Sequence, residues 1–189
     1  MDADPPPPVH AGVCDALLRR LVARRVVMEA DATAADLALA LPGFADETRW
    51  EAVRATCDQD VIESLPAFEA MLAADHGIGA ICRSLEADRD AALLLGLLVA
   101  IETEPARRRL VAAIEGSATP TLGFLTELLS GRPVGLDRAL RCLRRGGLVT
   151  VGTQGGWAQR TVTVAPEVVV VADGGTLEGG TSDDGTPGG

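Results

Sequence analysis

Residues 136–164, LDRALRCLRRGGLVTVGTQGGWAQRTVTV, constrain the fold more than any other part of the chain. Leu136, Leu140 and Leu143 recur at helical spacing on one face, while Arg138, Arg141, Arg144 and Arg145 fall on others. Gly146-Gly147 supplies a left-handed helix stop. Leu148, Val149 and Val151 then read as a strand, Gly155-Gly156 as a turn, and Val162 and Val164 as the returning strand. A helix followed by such a hairpin predicts the end of a winged-helix domain. Such a domain either reads DNA with that helix or docks onto another protein.

Composition narrows the choice. A length of 189 residues allows one or two small domains, and 47% hydrophobic content supports a core. The chain has no Lys, Tyr or Asn, so all 17 basic residues are Arg, a pattern expected of a high-GC bacterial coding sequence. The net charge of −10 disfavours nonspecific nucleic-acid binding, because phosphate is repelled by an acidic surface. No apolar run approaches the ~20 residues of a membrane span, and MDADPPPP is the wrong chemistry for a signal peptide. A cytoplasmic protein is expected. Cys14, Cys57, Cys82 and Cys142 lie far apart in helical patterns with no CxxC pair, so reduced, buried thiols are expected and a metal site is not.

The ends read as tails. Residues 1–8 are proline-rich, and residues 173–189 are glycine-rich with almost no large apolar group, so both are expected to be disordered or linkers. Between them the expected divisions are an N-terminal helical region, 9–77, and a winged-helix domain, 78–172. In the first, Val13, Leu17, Leu18, Leu21 and Val22 recur at helical spacing with Arg19, Arg20, Arg24 and Arg25 interspersed. Thr33 to Asp36 resembles a capping box for a short helix that Pro42-Gly43 ends. Asp46 is read as the cap of a helix carrying Trp50 and Val53. Ser64 and Pro66 are read as the start of the next, which Gly77 closes.

In the second region Asp88 precedes AALLLGLLVAI, apolar nearly all round and so expected at the centre of a core. Glu104-Pro105 restarts a helix carrying Arg107, Arg108 and Arg109, which Gly116 stops. Those three arginines are read as a solvated face that an acidic partner would meet. Thr119-Pro120 opens another helix, ending at Gly131. Residues 167–172 read as a last strand or a packing helix, with β-branched content favouring the strand. The expected class is mostly α, a helical bundle ending in a winged-helix element of helix plus β-hairpin wing.

The order of these pieces resembles a block in the N-terminal regions of AAA+ ATPases associated with extracellular contractile injection systems, the phage-tail-like particles. The matching residues are Asp88, Asp90, residues 93–98, Glu102, Glu104, Leu110, Pro120, Thr121, Gly123, Leu128, Leu140, Arg141 and Leu148, within residues 75–172. The resemblance implies a winged-helix accessory domain that lies ahead of an ATPase module and serves docking. The chain departs from the family in having no ATPase module. There is no G-x-x-x-x-G-K-[ST] motif and no lysine to reach a phosphate, and Gly77-Ile78-Gly79 is read as a helix stop. The accessory domain alone is expected, with no cofactor and no enzymatic activity.

Other chemistry is thin. His10 stands at the proline-rich tail and His76 beside Asp75 at a helix end, with no motif that supplies a nucleophile. Met28 and Met71 read as core fillers. No D-x-D-x-D-G loop is present for calcium. The informative cluster is basic. Residues 132–160 hold six arginines against one acid, Asp137, on an otherwise acidic chain. In a DNA-binding winged helix those arginines would reach the major groove. Against that use, the turn at residues 152–156 has no basic residue, and the helix offers no Asn, Gln or Ser for base edges. The residues expected to carry binding are therefore Arg138, Arg141, Arg144, Arg145 and Arg160. The expected partner is a protein, either an AAA+ ATPase or an injection-particle component. The alternative is a transcriptional regulator that presents the same arginines to DNA.

Overall fold

The computed structural model describes residues 9–28, 50–73, 77–130 and 135–172. In chain order its helices are α1 (Val9–Met28), α2 (Trp50–Leu72), α3 (Gly77–Ser84), α4 (Arg89–Thr103), α5 (Pro105–Glu115), α6 (Leu122–Leu128) and α7 (Leu136–Arg145). Strand β1 (Val149–Val151), a 3-10 turn (Trp157–Gln159), strand β2 (Val162–Val164) and helix α8 (Pro166–Ala172) follow. The chain is a mostly α-helical bundle ending in a winged-helix element. The capping box at Thr33, the Pro42-Gly43 stop, the Asp46 cap, His76, Arg132, Gly131 and both tails lie outside the described residues.

Helix α4 is the axis of the core. Every residue from Ala91 to Ile101 is buried, and α4 touches α1, α3, α5, α7, α8 and β2. An all-round apolar helix has no face left for water, so only a central position satisfies it. Its neighbours come close at Gly96. A Cβ there would stand 3.0 Å from the Phe68 ring and 3.3 Å from Cβ of His10. Glycine thus lets α1 and α2 close onto α4, and His10 is a buried residue of α1, not part of a tail.

The expected punctuation holds the connections. Asp88 Oδ1 accepts from the Ala91 amide at 2.9 Å and caps α4. Glu104 caps α5 ahead of Pro105, and left-handed Gly116 ends it. Thr119-Pro120 does not open α6: the helix starts at Leu122 and is capped by Thr121, whose Oγ1 accepts from the Phe124 amide at 3.1 Å. Each side-chain cap satisfies an amide that the helix itself leaves without a partner.

The wing is a two-stranded antiparallel sheet with Val149 opposite Val164, Thr150 opposite Thr163 and Val151 opposite Val162. Val149 and Val162 are buried, while Thr150 and Thr163 face out, as the two-residue period of a strand requires. A bridge between Thr121 and Thr161, with the Val162 amide donating to the Pro120 carbonyl at 2.8 Å, fastens the returning strand to the start of α6. The left-handed residue that ends α7 is Gly147 (φ 71), and Gly146 remains right-handed.

Two further readings are corrected, and a third, left open between strand and helix, is settled as a helix. Pro66 does not start a helix. It lies inside α2, which runs unbroken from Trp50 to Leu72. Cys57, Val61 and Phe68, on both sides of the proline, form one buried stripe, and packing of that stripe on α1 outweighs the lost amide. Gly77 opens α3 instead of closing the helix before it. Residues 167–172 form helix α8, not a strand. Pro166 presets the first turn, and Val168 enters the core where α8 meets α3 and α4. Tertiary packing overrides the β-branched preference.

One non-glycine residue has a positive φ, Glu86 at 51°. It closes α3 in a Schellman motif, with Ala87 N donating to Cys82 O at 2.8 Å and Glu86 N to Arg83 O at 3.1 Å. Helix α7 ends with the same pattern, but there the left-handed residue is Gly147. A side chain in this region costs roughly 1 kcal/mol against glycine. Glu86→Gly is therefore expected to raise stability by about 1 kcal/mol. A thermal melt checks this, and a lowered or unchanged midpoint contradicts it.

Candidate interaction groove on helix α7

Helix α7 sorts its side chains by period. Ala139, Leu140 and Leu143 are buried and Leu136 is half-buried, while Arg138, Arg141, Arg144 and Arg145 are exposed. The helix is held at both ends. The Gly135 amide, ahead of its first turn, donates to Asp90 Oδ2 at 2.8 Å. At the other end Leu85 packs where a side chain on Gly146 would stand, only 2.7 Å from its Cβ position. The last-turn arginines Arg144 and Arg145 also match the negative end of the helix dipole.

These contacts leave an open groove of about 670 Å³ between α7 and the α3–α4 connection. It is lined by Glu86, Asp88, Arg138, Arg141, Cys142, Arg144 and Arg145. Arg138 Nε lies 3.0 Å from Asp88 Oδ2, yet its side chain is 76% exposed. Among the described residues, Arg141, Arg144 and Arg145 make no ion pair, and neither does Glu86. Four of the five expected binding residues are thus brought together. Arg160 is exposed at the end of the 3-10 turn in the wing and is not among the residues that line the groove.

Sequence reasoning missed the acidic wall. Asp88 was legible only as the acid ahead of the apolar run, and Glu86 carried no motif. Its one signal was a charged residue between two helical patterns, where a glycine stop is usual. Cys142 was expected to be buried but is half-exposed in the groove. Cys14, Cys57 and Cys82 are buried. Burial pushes the Cys14 thiol up to about 12 and Cys82 up to about 11, which removes them from thiolate chemistry. Among the described residues, no group of three or more His, Cys, Asp or Glu is placed to hold a metal ion.

The arginines of α1 and Arg107 are fasteners, whereas Arg83, Arg89, Arg108 and Arg109 are exposed. Arg107, expected on a solvated face, forms a two-pronged pair with Asp15 at 2.7 and 3.0 Å and donates to the Ala100 carbonyl at 3.1 Å. Its planar fork ties α5 to α1 and α4. On α1, Arg20 is buried and donates to the Leu128 and Ser130 carbonyls, each at 3.0 Å. Arg24 donates to the Ser130 carbonyl at 3.2 Å and to its hydroxyl at 2.8 Å. Arg25 grips Glu127 at 2.9 and 2.5 Å, and also the Ile114 carbonyl at 3.0 Å. Arg25 holds the Glu127 carboxyl below the usual carboxylate range. All four described arginines of α1 face an acid or a carbonyl, Arg19 standing 3.5 Å from Asp60. Those of α7 do not.

No protein family, curated protein or solved structure matches the chain. No helix among the described residues is long and apolar enough to cross a membrane.

Proposed function

We propose that this chain is a non-catalytic docking module whose α7 arginines bind an acidic protein surface. In this reading the partner is an AAA+ ATPase or a component of a contractile injection particle, and the complex forms in the cytoplasm. One observation carries the reading. Arg141, Arg144 and Arg145 converge on a single open groove with no ion pair among the described residues, while the arginines of α1 and Arg107 are tied inward. Desolvated guanidinium forks are among the side chains that dominate protein interfaces. The order of helices and wing is what supports the resemblance to the accessory domains of those ATPases.

The competing reading is a regulator that places α7 in the major groove of DNA. The groove weighs against it. Glu86 and Asp88 form its opposite wall, and the chain carries a net charge of −10, so an approaching phosphate backbone meets carboxylates beside the arginines. The test is co-purification of the chain with candidate sheath, baseplate and AAA+ proteins, beside the double variant Arg141→Glu, Arg145→Glu. The wild-type chain is expected to retain an acidic partner from this set. The variant is expected to lose it while staying folded, its melting temperature lowered only slightly by the reversed charge in the last turn of α7, since both side chains are exposed. Retention of the complex by a folded variant would remove the arginine face from the account.

A further inference from the structure

We infer that Glu86 is a specificity-determining residue of the arginine groove, one that accepts a cationic group from the docked partner. This rests on the docking reading above and adds to it the chemistry of the partner. The preferred segment carries carboxylates for Arg141, Arg144 and Arg145 and one basic side chain for Glu86.

The acids around the groove have different tasks. Asp88 caps α4 through Oδ1 and meets Arg138 through Oδ2. Asp90 is engaged with the Gly135 amide. Glu86 lines the same groove, is exposed, and makes no ion pair among the described residues. It therefore keeps a full carboxylate for an incoming donor. Its backbone sharpens the point. At φ 51° it holds the left-handed position that Gly147 fills at the end of α7. A glycine would close α3 with less strain, so the position carries a charge at a conformational cost, and that charge opens onto the arginines. A groove with acids on one wall and arginines on the other rejects a uniform polyanion and orients a mixed-charge segment, because like charges brought together are costly.

The experiment uses two synthetic peptides on the full chain, an all-glutamate peptide and the same peptide with one central arginine. The wild-type chain is expected to bind the arginine-bearing peptide about two- to fivefold more tightly, the size of one exposed ion pair. In Glu86→Gln affinity for the arginine-bearing peptide falls and that for the all-glutamate peptide rises, so the preference disappears. In Glu86→Gly the same change in preference is expected, now with a higher melting temperature. These responses have opposite signs for the two peptides, which a general loss of folding cannot produce. If Glu86→Gln shifts both peptides in parallel, or neither, the role of Glu86 is overturned while docking stands. If the wild-type chain binds neither peptide, or if Arg141→Glu with Arg145→Glu leaves binding unchanged, the docking reading fails and this inference fails with it.

Discussion

Leu97→Ala is expected to lower the stability of the folded chain by about 2–5 kcal/mol. Leu97 is 1% exposed and sits in the stretch of α4 where every residue is buried. Truncation there loses the transfer of the side chain from water. It also leaves a void that cannot collapse, because α4 is held on several sides by α1, α3, α5, α7 and α8. The adjacent Gly96 allows no slack, as its face is already in contact with Phe68 and His10. Denaturant unfolding with an unchanged slope measures the loss as a shift in midpoint. A midpoint equal to that of the wild-type chain would mean that α4 is not the centre of the core.

Arg20→Ala is expected to cost about 3 kcal/mol, although it removes a charged residue and no apolar group. Arg20 is 5% exposed and donates to two carbonyls at the end of α6, those of Leu128 and Ser130. Asp58 lies 3.9 Å from Nη1 and is half-exposed, so that pair contributes little beside the two carbonyl bonds. Without the guanidinium, the Leu128 carbonyl is left buried without its charged donor, and helix α6 loses its tie to α1. Arg20→Lys keeps the charge but not the fork, so it is expected to recover only part of the loss. Chemical denaturation of the three proteins side by side decides the matter. An alanine variant as stable as the wild-type chain would show that the α1 arginines are not fasteners.

Local signals made much of the fold legible. The apolar run after Asp88, the Glu104-Pro105 restart and the valine–threonine alternation of the wing are all written within a few residues of where they act. What stayed hidden depends on distant partners. Pro66 inside α2 and the β-branched helix α8 are settled by packing on α1, α3 and α4, which outweighs local preference. The arginines divided in the same way. Arg20, Arg24 and Arg25 reach partners about a hundred positions away in sequence, so spacing could not distinguish a fastener from a solvated face. On α7 the helical period alone placed Arg138, Arg141, Arg144 and Arg145 away from the buried leucines. The acidic wall opposite them required the fold, since Glu86 and Asp88 reach the groove only when α7 docks beside the start of α4.

The most direct test of the docking account is titration of the full chain with duplex DNA and with an acidic peptide at about 0.15 M salt, where the Debye length is about 8 Å. The account predicts saturable binding of the peptide, abolished by Arg141→Glu with Arg145→Glu. It predicts duplex binding no tighter than the nonspecific range of ~10⁻⁴ to 10⁻⁶ M. Sequence-selective duplex binding at ~10⁻⁸ M or tighter, weakening with salt at a log–log slope of about −0.9 per phosphate neutralised, would contradict it and make α7 a DNA-reading helix.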